Sequence, residues 1–275
     1  MEKQKKLIEK KDWDCLIILD ACRYDYFKEV YTDYLKGELR KVLSAGSNTT
    51  EWKKNTFDKK QEDIVYISAN PQIRSISDKT KKLEYNTGYH FHEIIDIWKQ
   101  DWNENFGTVL PSDVSKVTRH ARIKYMNKKL IAHFMQPHYP YLSLDPIEEK
   151  NKNLITKIKN NHSLLKFLYS RGRGVLDWLV GGVLSEKLMD SLRIKRERVE
   201  ERVAKKYGKE TLKKAYLNNL KTVLKEVKNL SDRLPGKIVV TSDHGEFLGE
   251  NGVYAHMPYA NSSILKEVPW LKIRE

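Results

Sequence analysis

Residues Lys237-Ile-Val-Val-Thr-Ser-Asp-His-Gly-Glu246 form an apolar run of strand length that breaks off on an Asp-His pair followed by glycine. Where a buried strand ends at the edge of an open α/β sheet, the loops diverge and leave a crevice in which ligands bind. Asp243 and His244 fall in that crevice. A carboxylate and an imidazole set side by side there make a metal site the first expectation.

The pattern recurs along the chain. Asp14-Cys-Leu-Ile-Ile-Leu-Asp20 is a second short run, rich in β-branched residues, that ends in a carboxylate. Leu39-Arg-Lys-Val-Leu43 empties into Ser44-Ala-Gly-Ser-Asn-Thr-Thr-Glu-Trp52, a hydroxyl-rich turn with the composition of a helix start. A hydroxyl in that turn is expected to meet both a metal and a helix amino terminus, two features that favour its deprotonated form and an incoming anion. Strands are expected near 14–20, 39–43, 63–69, 129–135 and 237–242, and their alternation with helical stretches argues for parallel βαβ units. Pro111 to Asn127 reads as a helix. Leu212 to Leu230 reads as a clearer one, because Tyr216, Leu217, Leu220, Val223, Leu224, Val227 and Leu230 recur at three- and four-residue steps. The fold expected is α/β, a doubly wound and mostly parallel sheet with helices on both faces. Asp63-Ile-Val-Tyr-Ile-Ser-Ala-Asn70 also ends in small polar residues, and Asn70 reads as a simple turn residue before Pro71, with a place lining the same edge as the alternative.

At 275 residues the chain has the length of one large domain. No apolar stretch follows Met1-Glu-Lys-Gln-Lys-Lys, so neither signal peptide nor leading membrane anchor is expected. Two cysteines do not suggest a disulfide scaffold, and the placement expected is cytoplasmic, with peripheral contact at the inner membrane surface as an extension. That extension comes from the charge. The formal net charge is +14, and residues 150–230 carry 21 Lys plus Arg against 8 Asp plus Glu. This basic stretch reads as a helical insertion at about 145–210, and it contains Gly174-Val-Leu-Asp-Trp-Leu-Val-Gly-Gly-Val-Leu184, far too short to span a bilayer. Two readings stay open: Trp178 and its neighbours are core beneath a solvated lysine face, or the segment lies on an anionic membrane and brings lipid-linked phosphate to the site. Specific nucleic-acid binding is not expected, since the stretch lacks zinc-finger spacing and RNA-binding aromatics.

Taken jointly, Asp20-Ala-Cys-Arg-Tyr-Asp25, the hydroxyl turn, Gln136-Pro-His-Tyr-Pro-Tyr141, Thr241-Ser-Asp-His-Gly-Glu246, Phe247-Leu-Gly-Glu-Asn-Gly-Val-Tyr-Ala-His256 and Val268-Pro269 resemble the alkaline phosphatase superfamily on its sulfatase-like branch. The resemblance runs from about residue 12 to the end and implies one sulfatase-like α/β domain. It implies Asp20, Asp243 and His244 as metal ligands and Thr49 as a nucleophile that also touches the metal, with Thr50 and Ser47 as alternatives. It further implies that His138 and His256 hold the anionic group or protonate the leaving oxygen, and Arg23 is a further candidate for charge neutralisation.

The departures from that family also carry meaning. Formylglycine sulfatases need Cys or Ser followed by x-Pro-x-Arg, and Cys15, Cys22, Ser44 and Ser47 all lack that context. Two-metal relatives add a carboxylate just before the middle histidine, and Ile131-Ala-His-Phe-Met-Gln-Pro-His138 has none, so a single ion is expected. Oxygen ligands plus one imidazole suit Mn²⁺, Zn²⁺ or Mg²⁺ better than Ca²⁺. The expected activity is a metal-dependent phosphoester hydrolase or transferase working through a covalent phospho-threonine. A sulfate-ester hydrolase on the same fold and a noncatalytic binder of anionic lipid or polymer are the alternatives. His90, His92, His120, His133 and His162 show no spacing that demands chemistry and read as surface or packing residues.

Overall fold

A computed structural model describes residues 1–75, 90–144 and 197–273. A seven-stranded sheet organises them. In chain order its strands are β1 (Cys15–Asp20), β2 (Glu38–Leu43), β3 (Gln61–Ser68), β4 (Phe91–Asp96), β5 (Lys129–Pro137), β6 (Ile238–Ser242) and β7 (Glu267–Lys272). Their lateral order is β2-β7-β6-β1-β5-β3-β4. β7 runs antiparallel to both its neighbours and the other pairings are parallel, so the sheet is mostly parallel as expected.

All six residues of β1 are buried, because the strand is central and covered on both faces. Cys15, Ile17 and Leu19 face one core with α2 (Tyr24–Val30), α4 (Pro111–Lys124) and α6 (Lys209–Ser231). Leu16 and Ile18 face the other, with Ile8 of α1 (Gln4–Lys10) and Trp52 of α3 (Thr49–Thr56). The 2.0-residue period of the strand thus divides one apolar run between two cores.

The five expected strands are present within a residue or two. β4 and β7 were missed, the second because Pro269 and the flanking charges break its apolar run. β7 keeps Pro269 where pairing with β2 continues, while its pairing with β6 covers only Trp270–Lys272. The expected insertion falls outside the described residues up to 196, including the apolar segment around Trp178. Its described end holds α5 (Val199–Tyr207), which packs on the strand of Tyr254–Ala255. Among the described residues no helix is long and apolar enough to cross a membrane.

Candidate metal centre

Parallel strands deliver their carboxyl ends to one edge, and the polar groups singled out in the sequence meet there. Asp20 closes β1, Asp243 and His244 follow β6, His138 follows β5, and Thr49 stands at the end of the turn after β2. Asn48 caps α3 by accepting from the Glu51 amide at 2.9 Å, which leaves the Thr49 hydroxyl at the first helical position for other use. Thr49 Oγ1 donates to Asp243 Oδ2 at 2.7 Å and lies 3.3 Å from His244 Nε2. The competing hydroxyls are turned elsewhere: Ser44 to the Asp243 carbonyl, Ser47 to Glu51 and the Met257 carbonyl, and Thr50 to Gln72.

Asp20, Asp243 and His244 form one buried group whose ligand atoms lie within 4.8 Å of one another. His244 Nε2 is 3.6 Å from Asp20 Oδ1 and 3.3 Å from Asp243 Oδ2. Four-coordinate bonds of roughly 2.0–2.2 Å hold neighbouring ligands about 3.3–3.6 Å apart, so this spacing fits a small divalent ion. His244 Nδ1 sits 2.8 Å from the Gly245 carbonyl, which leaves a lone pair on Nε2 facing the cluster. Asp20 Oδ1 is buried with no hydrogen-bond partner among the described residues. Burial and the neighbouring Asp243 charge push the Asp20 carboxyl well above its ordinary range. Two crowded carboxylates, an orphaned oxygen and a lone pair aimed inward are the donor set a cation satisfies.

The backbone holds this arrangement tightly. Ala21, at φ +57°, bends the chain straight after Asp20 in a conformation that L residues rarely adopt, and its amide donates to Asp243 Oδ1 at 3.0 Å. The His244 amide donates to the same oxygen at 2.9 Å. Gly245 has no room for a side chain, since a Cβ there would lie 2.0 Å from the Ile264 carbonyl oxygen.

A second group sits beside the first. His138 Nε2 and His256 Nδ1 lie 3.6 Å and 3.4 Å from Glu246 Oε1. The rings of His244 and His256 are 4.4 Å apart, so both groups open on one space. Burial opposes the charged form of His138, but Glu246 and Asp20 outweigh it and lift its pKa to about 9. Burial likewise opposes ionisation of Glu246, and His138 and His256 hold its carboxyl below the usual range. A single ion is expected from the sequence because no carboxylate stands just before His138. A buried carboxylate does join these histidines, and it comes from Glu246 on the other loop.

Two sequence readings change, and a third gains detail. Arg23 is not open toward a substrate: its guanidinium is bound by Asp25 and Glu250 and reaches the Glu246 carbonyl, tying the β1 turn to the loop after β6. Asn70 is more than a turn residue. Its Oδ1 accepts from the Gln72 amide, and its Nδ2 donates to Asp20 Oδ2 at 2.6 Å and reaches Thr49 Oγ1 at 3.4 Å. His133 is packed, but it is packed against the site, 3.9 Å from Asp243 Oδ2.

Two further residues came from the helix read only as an apolar stripe. Tyr216 of α6 donates its hydroxyl to the Ala21 carbonyl and accepts from the Arg23 amide, clasping the turn that presents Asp20. Asn219, one helical step on, accepts from the Leu142 amide at 2.8 Å and donates to the carbonyls of Pro140, His138 and Pro137 at 2.8, 3.3 and 3.4 Å. A polar residue inside an otherwise apolar helical face is the sequence signal that could have found it.

No protein-family model matches the chain, and a search of curated proteins returned no match. Solved structures do match. The soluble domain of lipooligosaccharide phosphoethanolamine transferase A from Neisseria meningitidis superposes with a TM-score of 0.54 at 16% identity, covering 94% of this chain and 75% of that one. The C-terminal periplasmic domain of EcEptC from Escherichia coli, in complex with zinc, gives 0.51 at 13% identity over 95% of this chain and 72% of that one. A 2-O GAG sulfatase gives 0.52 at 11% identity over 96% and 60%. Together with the seven-stranded sheet and the residues gathered at its carboxyl edge, these likenesses give the chain an alkaline phosphatase/sulfatase-like fold.

Proposed function

We propose that the chain is a divalent-cation-dependent hydrolase or transferase of phosphate esters, with Thr49 as the nucleophile. The observation that carries this reading is the meeting of one hydroxyl, two carboxylates and one imidazole, delivered from two strand ends and a helix start, at separations that suit a shared ion. A divalent ion held by Asp20, Thr49, Asp243 and His244 would lower the pKa of the threonine hydroxyl and neutralise phosphate charge. Mn²⁺, Zn²⁺ and Mg²⁺ all suit the donor set.

The chain's own residues divide the remaining work. Thr49 points its hydroxyl proton at Asp243 Oδ2, so the proton lost on attack has an acceptor in place. Attack forms an Oγ–P bond and breaks the bond between phosphorus and the leaving alcohol. The amino terminus of α3 favours the phosphoryl charge. Asn70 aligns Asp20 and supplies a donor toward the nucleophile. His138, which keeps its proton at neutral pH, and His256, oriented by Glu246, line the leaving side, where one of them protonates the departing oxygen. Water or an acceptor alcohol then takes the phosphoryl group and returns Thr49.

Neighbours whose names include phosphoethanolamine transferase support a phosphoester, and the sulfatase neighbour keeps a sulfate ester as the second reading. The phosphoester is preferred because Thr49 stands where a formylglycine precursor would need Cys or Ser followed by x-Pro-x-Arg. The anionic substrate proposed is one whose phosphate is carried on a lipid, which the lipooligosaccharide phosphoethanolamine transferase neighbour supports and the basic stretch at 150–230 would suit. The cytoplasmic placement, with peripheral contact at an anionic membrane, stays part of the proposal and is tested by cell fractionation and by liposome flotation at low salt.

Activity is tested with p-nitrophenyl phosphate and its bis ester against p-nitrophenyl sulfate, with Mn²⁺, Zn²⁺ or Mg²⁺ added. Turnover of the phosphate esters, lost in Thr49→Ala and on chelation, is expected. Labelled substrate should leave its mark within residues 44–50. Turnover of the sulfate alone, or label elsewhere, would overturn the reading.

A further inference from the structure

His133 has no part in the scheme above, yet it is fully buried on β5 with its Nε2 lacking any hydrogen-bond partner among the described residues. That nitrogen lies 3.9 Å from Asp243 Oδ2. Its other nitrogen, Nδ1, is 2.8 Å from the hydroxyl of Tyr66 on β3, and the Trp52 indole packs against the ring at a steep angle. An unpartnered polar atom in so dry a place calls for a reason.

The hydrogen-bond inventory decides which nitrogen carries the proton. A neutral imidazole has one N–H and one lone pair, so only one of its two nitrogens can donate. Burial holds the Tyr66 phenol protonated, and donating to Nδ1 gives that hydroxyl its partner. The imidazole proton is then on Nε2, facing a carboxylate. The opposite tautomer would set a lone pair against the Asp243 charge in a medium of low dielectric, where such repulsion is strong.

The backbone holds the carboxylate on one side only. Asp243 Oδ1 takes two backbone amides, from Ala21 and His244, whereas Oδ2 faces Thr49, His244 Nε2 and His133. The backbone therefore fixes where Oδ1 sits and leaves the tilt of Oδ2 to the side chains around it.

We propose that His133 is a positioning residue for Asp243: Tyr66 sets its tautomer, and the Nε2–H orients Oδ2 toward the cation. Partners that orient a metal-binding carboxylate are worth roughly 10- to 100-fold in metal affinity. The inference rests on the metal-site reading and deepens it, because it assigns the tyrosine-histidine pair beneath the site to cation binding.

The test measures Zn²⁺ affinity of the full chain by competition with a chromophoric chelator, without substrate. His133→Leu is expected to bind about 10- to 100-fold more weakly than wild type. His133→Gln, which returns an N–H near the same place, should stay within a few fold of wild type. Tyr66→Phe, which frees the ring to take the other tautomer, should fall between them. A purely structural role would not separate glutamine from leucine, so equal affinities in those two variants overturn the proposal. Should His133→Leu fail to fold, Tyr66→Phe decides, and an unchanged affinity there also overturns it. Wild type that takes up no Zn²⁺, Mn²⁺ or Mg²⁺ would instead remove the metal-site reading, and the proposal with it.

Discussion

Asn219 makes the most exposed prediction about how the site is held. Its amide makes two short bonds to the turn that carries His138, from the Leu142 amide and to the Pro140 carbonyl, both 2.8 Å, and two longer ones at 3.3 and 3.4 Å. Asn219→Ala strands one donor and one acceptor that are only half buried, so each costs near the low end of the ~1–3 kcal/mol for an unsatisfied group, or about 2–3 kcal/mol together. The longer bonds add little. In a chain of this size that corresponds to a fall in Tm of roughly 5–10 °C. The turn also sets where the His138 ring sits, and a misplacement on the order of 1 Å in a catalytic group lowers turnover by about 100-fold. Scanning calorimetry with steady-state kinetics on a p-nitrophenyl phosphoester checks both numbers, with kcat expected to fall more than KM rises. Asn219→Asp separates the two ends of the amide, because it keeps the acceptor for Leu142 but turns a lone pair toward the Pro140 carbonyl. It is expected to do no better than alanine. An alanine variant that melts within about 2 °C of wild type and keeps its kcat would refute the reasoning.

Gly245→Ala sets a methyl 2.0 Å from the Ile264 carbonyl oxygen, a collision with backbone that no rotamer relieves. A loss of ~1–3 kcal/mol in thermal or urea unfolding is expected, together with weaker Zn²⁺ binding as the loop carrying Asp243 and His244 shifts. Burial pushes the Glu250 carboxyl up, but its bond to Arg23 outweighs that and holds it below its ordinary range. A carboxyl lowered in the folded state contributes stability that is present above its unfolded pKa and lost as pH falls through the folded value. Glu250→Gln should therefore flatten the drop in Tm that wild type shows below about pH 4.3, and identical acid limbs would count against the clamp.

Most of the fold was legible because parallel strands advertise themselves. β1 and β6 are buried runs, and each leads into residues of the candidate site, so strand and candidate ligand stand together in the sequence. β7 was not legible for the opposite reason. It is the antiparallel member, it carries Pro269, and its register depends on β2 and β6, which stand far from it in the chain. A sequence window sees local composition and not partners. β4 follows residues 76–89 and mixes buried, part-buried and exposed positions over only six residues, a pattern too short and irregular to separate from a loop.

The site divides along the same line, and the division says where support for a catalytic centre hides. Groups that would touch a cation or a phosphate sit on loops, where an Asp-His or a run of hydroxyls is conspicuous against small residues. Groups that hold those loops in place sit inside helices and strands, where the same sequence pattern already has a sufficient explanation. Tyr216 falls in the apolar stripe of α6 and reads as core, although its hydroxyl clasps the Asp20 turn. His133 falls in a buried strand and reads as packing, although its free nitrogen faces Asp243. Glu246 stands in plain view in the Asp-His-Gly-Glu run, but its role needs His138 and His256 from other segments to be seen. Ligands are thus written in local motifs and their positioning in tertiary contacts, so a substitution in α6 or β5 reaches the centre as directly as one in the loops.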